Sequence, residues 1–155
     1  MPGALALDLS SHTGWAVEGG PSGVLDLKPY AHDLGRMGYI FHTWLADRLT
    51  DGCRALIIER PFIGVASDTA MLPGHLAFVA HTVAYVHATP RFEVAPSSWR
   101  KVVLGKGNMK RDDAKKAAIQ WCRDHGHSPK DDNEAAALCL LEWWRQTRPD
   151  KELAA

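Results

Sequence analysis

Ala4-Leu5-Ala6-Leu7-Asp8-Leu9-Ser10-Ser11-His12-Thr13-Gly14-Trp15 sets a single acid inside an apolar run and then turns. On an extended chain successive side chains point to opposite faces. Leu5, Leu7 and Leu9 therefore share one face, and Ala4, Ala6 and Asp8 share the other. A carboxylate buried in mid-strand is costly unless something compensates it. The residues that follow are small and hydroxylic, with Gly14 beyond them, so the chain can turn tightly and leave Asp8 open to a ligand. An acid that merely caps the turn explains Asp8 equally well by itself, and the rest of the chain has to decide.

Working outward, residues 4–10 read as a first strand, 14–17 as a second and 24–27 as a shorter third, with turn residues at 18–23. This predicts a three-stranded antiparallel meander. From 33 to 49 the apolar period becomes helical, with Asp33 as N-cap and Gly52 as a stop. Residues 54–61 form a brief β-branched run carrying Glu59 near its end and closed by Pro61. A loop at 62–68, an apolar helix at 69–87 and a strand at 91–95 follow. Ser97 or Ser98 is expected to cap a short helix ending at Leu104, and 105–108 is a basic loop. A helix at 110–124 stops before Gly126, and an alanine- and leucine-rich helix runs from 132 to 146. The order predicts an α/β fold, a mixed sheet flanked by helices, as a single domain over residues 1–155 with a frayed tail from about 149.

Composition narrows the class. A chain of 155 residues, 46% apolar and 23% charged, has room for one real core and reads as a globular protein. No apolar run reaches the length of a membrane span, and no basic-then-apolar leader opens the chain. A cytoplasmic protein without a membrane partner is expected. Cys53, Cys122 and Cys139 lack metal-ligand spacing and read as reduced, buried thiols. Basic and acidic residues balance at 18 each, but the stretch 99–116 carries Arg100, Lys101, Lys106, Lys110, Arg111, Lys115 and Lys116 against Asp112 and Asp113. Such a surface can hold phosphates, and it also fits a solvated helix face.

The acids form the more informative pattern. Asp8 lies on the first strand, Glu59 at the end of the fourth, and Asp131, Asp132 and Glu134 open the last helix. Parallel strands joined by a helical crossover would bring Asp8 and Glu59 to one edge of the sheet. Carboxylates gathered in a low-dielectric spot repel one another. A divalent cation relieves the repulsion, and Mg²⁺ takes a few carboxylates while keeping water. Two such ions can activate water and stabilise the leaving oxygen of a phosphodiester. Taken singly, Asp131 reads as a helix cap and Glu59 as a partner for Arg60; the joint placement is what points to a metal.

Four segments carry a resemblance: Leu7-Asp8-Leu9-Ser10 with Gly14 downstream; Ile57-Ile58-Glu59-Arg60-Pro61-Phe62; Phe92-Glu93-Val94-Ala95-Pro96 followed by Val102-Val103-Leu104-Gly105; and Asp131-Asp132-Asn133-Glu134-Ala135. In order and spacing, over about residues 4–145, the chain resembles RuvC-type Holliday-junction resolvases of the ribonuclease H-like superfamily, the small phage-encoded kind. The resemblance implies a ribonuclease H-like mixed five-stranded sheet, three antiparallel strands and then parallel ones, flanked by helices. It implies an endonuclease that cuts opposing strands of a four-way or branched DNA junction symmetrically, as a homodimer, in a bacterial or phage-infected cell. Each subunit would use Mg²⁺ or Mn²⁺, two ions per site. By motif position Asp8 and Glu59 are metal ligands and Asp132 a third, with Asp131 close behind. Phe62 matches an aromatic presented to junction bases, where stacking tolerates any base. Arg100, Lys101, Lys110 and Arg111, with Lys106 in the loop between them, fall where phosphate contacts or transition-state charge stabilisation belong.

One departure stands out. The family pattern leads to Glu-Ala-Asp-Ala, whereas this chain reads Glu134-Ala135-Ala136-Ala137. Ala136 lies one turn beyond Asp132 on the same helix face. Either Glu134 serves as a metal ligand and catalytic acid in its stead, or the chain is an inactivated variant, natural or engineered. A non-catalytic junction-binding module and another ribonuclease H-like nuclease therefore remain as alternatives. Actin-like ATPases share the strand acid and hydroxyl-glycine hairpin but need two such domains. Helices 33–49 and 69–87 are the expected dimer surface, His75, His81 and His87 read as interface or core, and Trp143 and Trp144 pack the last helix.

Overall fold

The strand that carries Asp8, β1 (Leu5–Asp8), lies at the centre of the sheet. The computed structural model describes residues 2–61 and 68–149, the side chains of 68 and 69 excepted. β2 (His12–Val17) folds back antiparallel on β1, pairing Leu7 with Trp15 and Asp8 with Gly14, and β3 (Ser22–Asp26) continues the meander. The first turn is held by its hydroxyls: Thr13 Oγ1 donates to the Ser10 carbonyl and Ser10 Oγ to the His12 carbonyl, both at 2.8 Å. These bonds replace strand pairing after Asp8, so β1 ends earlier than the apolar run predicts.

A single 3-10 turn, Lys28–Tyr30, absent from the sequence reading, leads to α1 (Leu34–Thr50). Asp33 caps α1 as expected, accepting from the Arg36 backbone N–H at 3.0 Å. α1 crosses to β4 (Leu56–Glu59), parallel to β1, and α2 (Asp68–Val86) crosses to β5 (Arg91–Val94), parallel to β4. The sheet order is β3-β2-β1-β4-β5. α3 (Pro96–Leu104), α4 (Arg111–Asp124) and α5 (Asp132–Thr147) complete the chain. This is the mixed five-stranded α/β architecture that the element order predicts. One expected cap is corrected: α3 begins at Pro96 after Ala95, without a side-chain cap, so neither Ser97 nor Ser98 starts it. Proline at the first helical position needs no N–H partner and presets φ, which makes a serine cap unnecessary.

The alternation in β1 becomes two cores. Leu5, Leu7 and Leu9 pack with Leu56 and Ile58 against Phe41, Leu45 and Leu49 of α1 and Leu76, Ala80 and Val83 of α2. Ala4 and Ala6 pack with Ala55 and Ile57 against Ala135, Ala136, Ala137 and Leu140 of α5 and Trp99 of α3. Trp144 is wholly buried in that second core, as expected, while Trp143 packs along its margin. Cys122 and Cys139 are free thiols buried there, and Cys53 is free and half-buried. No described helix is long and apolar enough to cross a membrane.

Candidate functional site

Asp8 and Glu59 are the last residues of neighbouring parallel strands, one step past the paired Leu7 and Ile58. In a parallel ladder such residues point to the same face about 5 Å apart. That face is the one covered by α5. Gly14, beside Asp8 on β2, decides how close α5 comes. A Cβ built there would run into the Asn133 carbonyl and stand 2.7 Å from the Glu134 backbone nitrogen. Any side chain at 14 would push the helix start away. Glycine thus lets the Asp131–Asp132 turn descend over the strand that holds Asp8.

The electrostatics record the convergence. The Asp8 carboxyl is held well above the usual carboxylate range, first by burial and then by the negative charges of Glu59, Asp132 and Asp131; Lys115 opposes them. Burial also raises Glu59, while the Trp99 indole and the charges of Arg100 and Arg111 pull it back. The acids nevertheless stand apart, and among the described residues no three His, Cys, Asp or Glu side chains form a ready-made cation cage. The ready pocket expected from the sequence is corrected accordingly, and each of three acids has a partner of its own. Glu59 Oε2 accepts from Trp99 Nε1 at 2.5 Å, Asp132 Oδ2 meets Lys115 Nζ at 3.2 Å, and Asp131 Oδ1 accepts from the Glu134 backbone N–H at 2.9 Å.

Glu134 sits differently. Only 5% exposed, it accepts from Ser22 Oγ through one oxygen and from the Lys130 backbone N–H through the other, both at 2.7 Å. It fastens the start of α5 to β3 in the manner of a capping box, and its charge is not among those acting on Asp8. Ala136 is 8% exposed and packs in the apolar layer with Ala4 and Ala6. The Arg60 reading of Glu59 is also corrected: Arg60 Nε lies 3.8 Å from Glu93, which is 2.6 Å from His81 Nε2.

The basic residues divide into two groups. Arg100 on α3 and Arg111 at the start of α4 act electrostatically on Glu59. Lys101, Lys106 and Lys110 are exposed, and Lys106 and Lys110 line an open cavity of about 430 Å³ with Asn108, Met109 and Asp113. Phe62 lies outside the described residues. Three contributions were missed from the sequence. Gly14 reads there as a turn residue, not as the seat of a helix. Trp99 draws no notice there beyond its place in a short helix, although its N–H within a basic stretch was a signal. Lys115 reads as one of a charge run, although it falls one helical turn after Arg111.

With the negative charges of Glu59, Asp132 and Asp131 all acting on the buried Asp8 carboxyl, the site suits a hard divalent cation taking oxygen ligands. No protein-family model and no curated protein matches the chain. Among solved structures it is similar to the Thermus thermophilus RuvC structure, with a TM-score of 0.66 at 16% identity, covering 92% of this chain and 95% of that one. It is similar also to T. thermophilus RuvC in complex with Holliday junction substrate, with a TM-score of 0.68 at 16% identity, covering 88% and 90%. The chain therefore has a RuvC-like fold, a ribonuclease H-like mixed five-stranded sheet flanked by helices.

Proposed function

We propose that this chain, as one domain, is a structure-specific endodeoxyribonuclease that resolves four-way DNA junctions by metal-dependent phosphodiester hydrolysis. The observation that carries the reading is the convergence of Asp8, Glu59 and the Asp131–Asp132 turn, with the Asp8 carboxyl pushed up first by burial and then by its neighbours' charge. The RuvC-like fold at 16% identity supports it. Asp8, Glu59 and Asp132 would hold the ions, Mg²⁺ or Mn²⁺, with Asp131 adjoining. Bound there, a pair of such ions supplies an activated water and stabilises charge on the leaving oxygen.

The chain's own residues do the rest. Arg100 and Arg111, close enough to act on Glu59, are placed to receive a scissile phosphate and offset the charge that builds up on it. Lys115, paired with Asp132, releases its carboxylate when a stronger cation competes and turns its ammonium to the DNA backbone. Lys101, Lys106 and Lys110 extend the cationic surface along the duplex arms and give no sequence information. Glu134 holds the start of α5 in place and takes no part in ligation.

Paired cuts across a two-fold junction require two sites related by a two-fold axis. The second copy docks through α1 and α2, where Leu34, Tyr39, Met71, Phe78 and Tyr85 stand exposed, the last two at 75%. A shallow cavity of about 220 Å³ between Leu34, Gly38, His75 and Phe78 receives side chains of the partner. Paired charge substitutions, Phe78→Glu with Tyr85→Glu, are expected to give a folded monomer by light scattering that nicks one strand but does not resolve.

The test is a cleavage assay on a synthetic four-way junction, a linear duplex and an RNA–DNA hybrid, each with and without Mg²⁺. Symmetric paired nicks in the junction alone, dependent on the ion, are expected. Salt-sensitive junction binding without nicks under either ion would replace this reading with that of a binding module, the outcome to which Ala136 leads if three acids are too few. Preferential cutting of the hybrid would replace it with another nuclease.

A further inference from the structure

Glu59 ends its strand on a side chain with three free torsions, close enough to Asp8 for its charge to act there. Left alone, mutual repulsion would swing its carboxylate out of the cluster. Arg60, the nearest cation in sequence, is turned to Glu93. What restrains Glu59 is Trp99, whose Nε1 donates to Oε2 at 2.5 Å. The indole is buried, at 2% exposure, and α3 delivers it because proline starts that helix directly after β5.

We propose that Trp99 is a positioning residue for the metal site, holding one oxygen of Glu59 so that the other faces the ion. This rests on the metal-site reading above and names a part of the site that the charged residues do not supply. An indole N–H suits the task chemically. It donates and never accepts, carries no net charge and does not titrate, so it orients the carboxylate without neutralising the negative charge that attracts the ion. Arg and Lys, the usual partners of a carboxylate, would compete with the cation. Arg100 stays near without competing: its guanidinium lies over the Trp99 ring, 5.5 Å from the centroid. Trp99 thus ties together the acid it holds and the cation stacked on it.

The experiment is calorimetric titration of the full chain with Mn²⁺ and with Mg²⁺, unsubstituted and as Trp99→Phe, which keeps a buried ring and removes the N–H. Loss of a partner that orients a ligand is expected to weaken uptake about tenfold, with the near-ultraviolet dichroism of the fold retained. A second measurement follows indole N–H resonances of the unsubstituted chain by nitrogen-15 NMR. One of them is expected to move on addition of Mg²⁺ and to move again in Glu59→Gln. Equal uptake by the unsubstituted and Trp99→Phe chains overturns the proposal and leaves the metal site standing. No uptake by the unsubstituted chain overturns the metal site and this proposal together. If Trp99→Phe does not fold, the resonances decide: no indole that responds to both Mg²⁺ and Glu59→Gln overturns the assignment.

Discussion

The two faces of β1 differ by a single side-chain size class, and the difference divides the molecule into a support and a site. On one face Leu5, Leu7 and Leu9 meet Phe41, Leu45 and Leu76 and build a thick layer of large apolar side chains. On the other, Ala4 and Ala6 meet Ala135, Ala136 and Ala137, and Gly14 allows the backbone of α5 to touch the sheet. Small residues bring a helix start within reach of strand-end acids, whereas large ones hold helices off and fill the gap with hydrocarbon. A catalytic cluster needs the first arrangement and a stable scaffold needs the second.

Breaking the scaffold face is expected to have the largest effect on stability. Leu7→Ala, at a fully buried position, should cost about 3 kcal/mol in urea unfolding. Ion uptake by the folded fraction should remain unchanged, and a parallel loss of uptake would show that the faces are not separable. Gly14→Ala should cost roughly 2 kcal/mol, because its Cβ meets main-chain atoms that cannot yield without moving α5. Here ion uptake should fall with stability; a tolerated alanine with intact uptake would mean that close helix approach does not hold the acids together.

Asp8→Asn is expected to act in the opposite direction. With its folded-state proton affinity raised, the ionised Asp8 opposes folding at neutral pH. That penalty is present above the raised folded-state pKa and disappears as pH falls through it toward the ordinary carboxylate value. The asparagine variant should therefore melt at a higher temperature than the parent in chelator at pH 7, by an amount that shrinks toward pH 4. It should also lose the rise in melting temperature that Mg²⁺ gives the parent. A lower melting temperature in chelator would contradict the charge-cluster account.

Ala136→Asp sharpens the same contrast by placing an acid within the alanine layer. Junction cleavage in Mg²⁺ should increase, and stability in chelator should fall, because a carboxylate enters a position only 8% exposed. Equal cleavage by both forms would show that Asp8, Glu59 and Asp132 suffice. The smallest effect belongs to Lys115→Met. The pair with Asp132 is partly solvated, so stability should change by less than about 1 kcal/mol, while salt dependence of junction binding should lose part of its slope.

Much of this was legible along the chain, unevenly. Period-two alternation at 4–9 assigns Leu5, Leu7 and Leu9 to one core and Ala4 and Ala6 to the other, as found. The helical period and Asp33 place α1 to within a residue. Glu134, an acid three residues after a cap, satisfies two patterns at once, ligand and capping box, and its bonds to Ser22 and Lys130 match the second. Trp99 and Lys115 were passed over because their partners, Glu59 and Asp132, lie 40 and 17 residues away.

Local periodicity, turn chemistry and the small size of particular residues determined which elements form and which face each acid occupies, since these depend on neighbours a few positions apart. How far the acids approach, and which donor each takes before any ion arrives, was decided only by tertiary structure. Those distances are set by the packing of α5 on Gly14 and of α3 on α5, where backbone contact and charge repulsion between distant segments balance, and no stretch of the chain contains both sides of that balance.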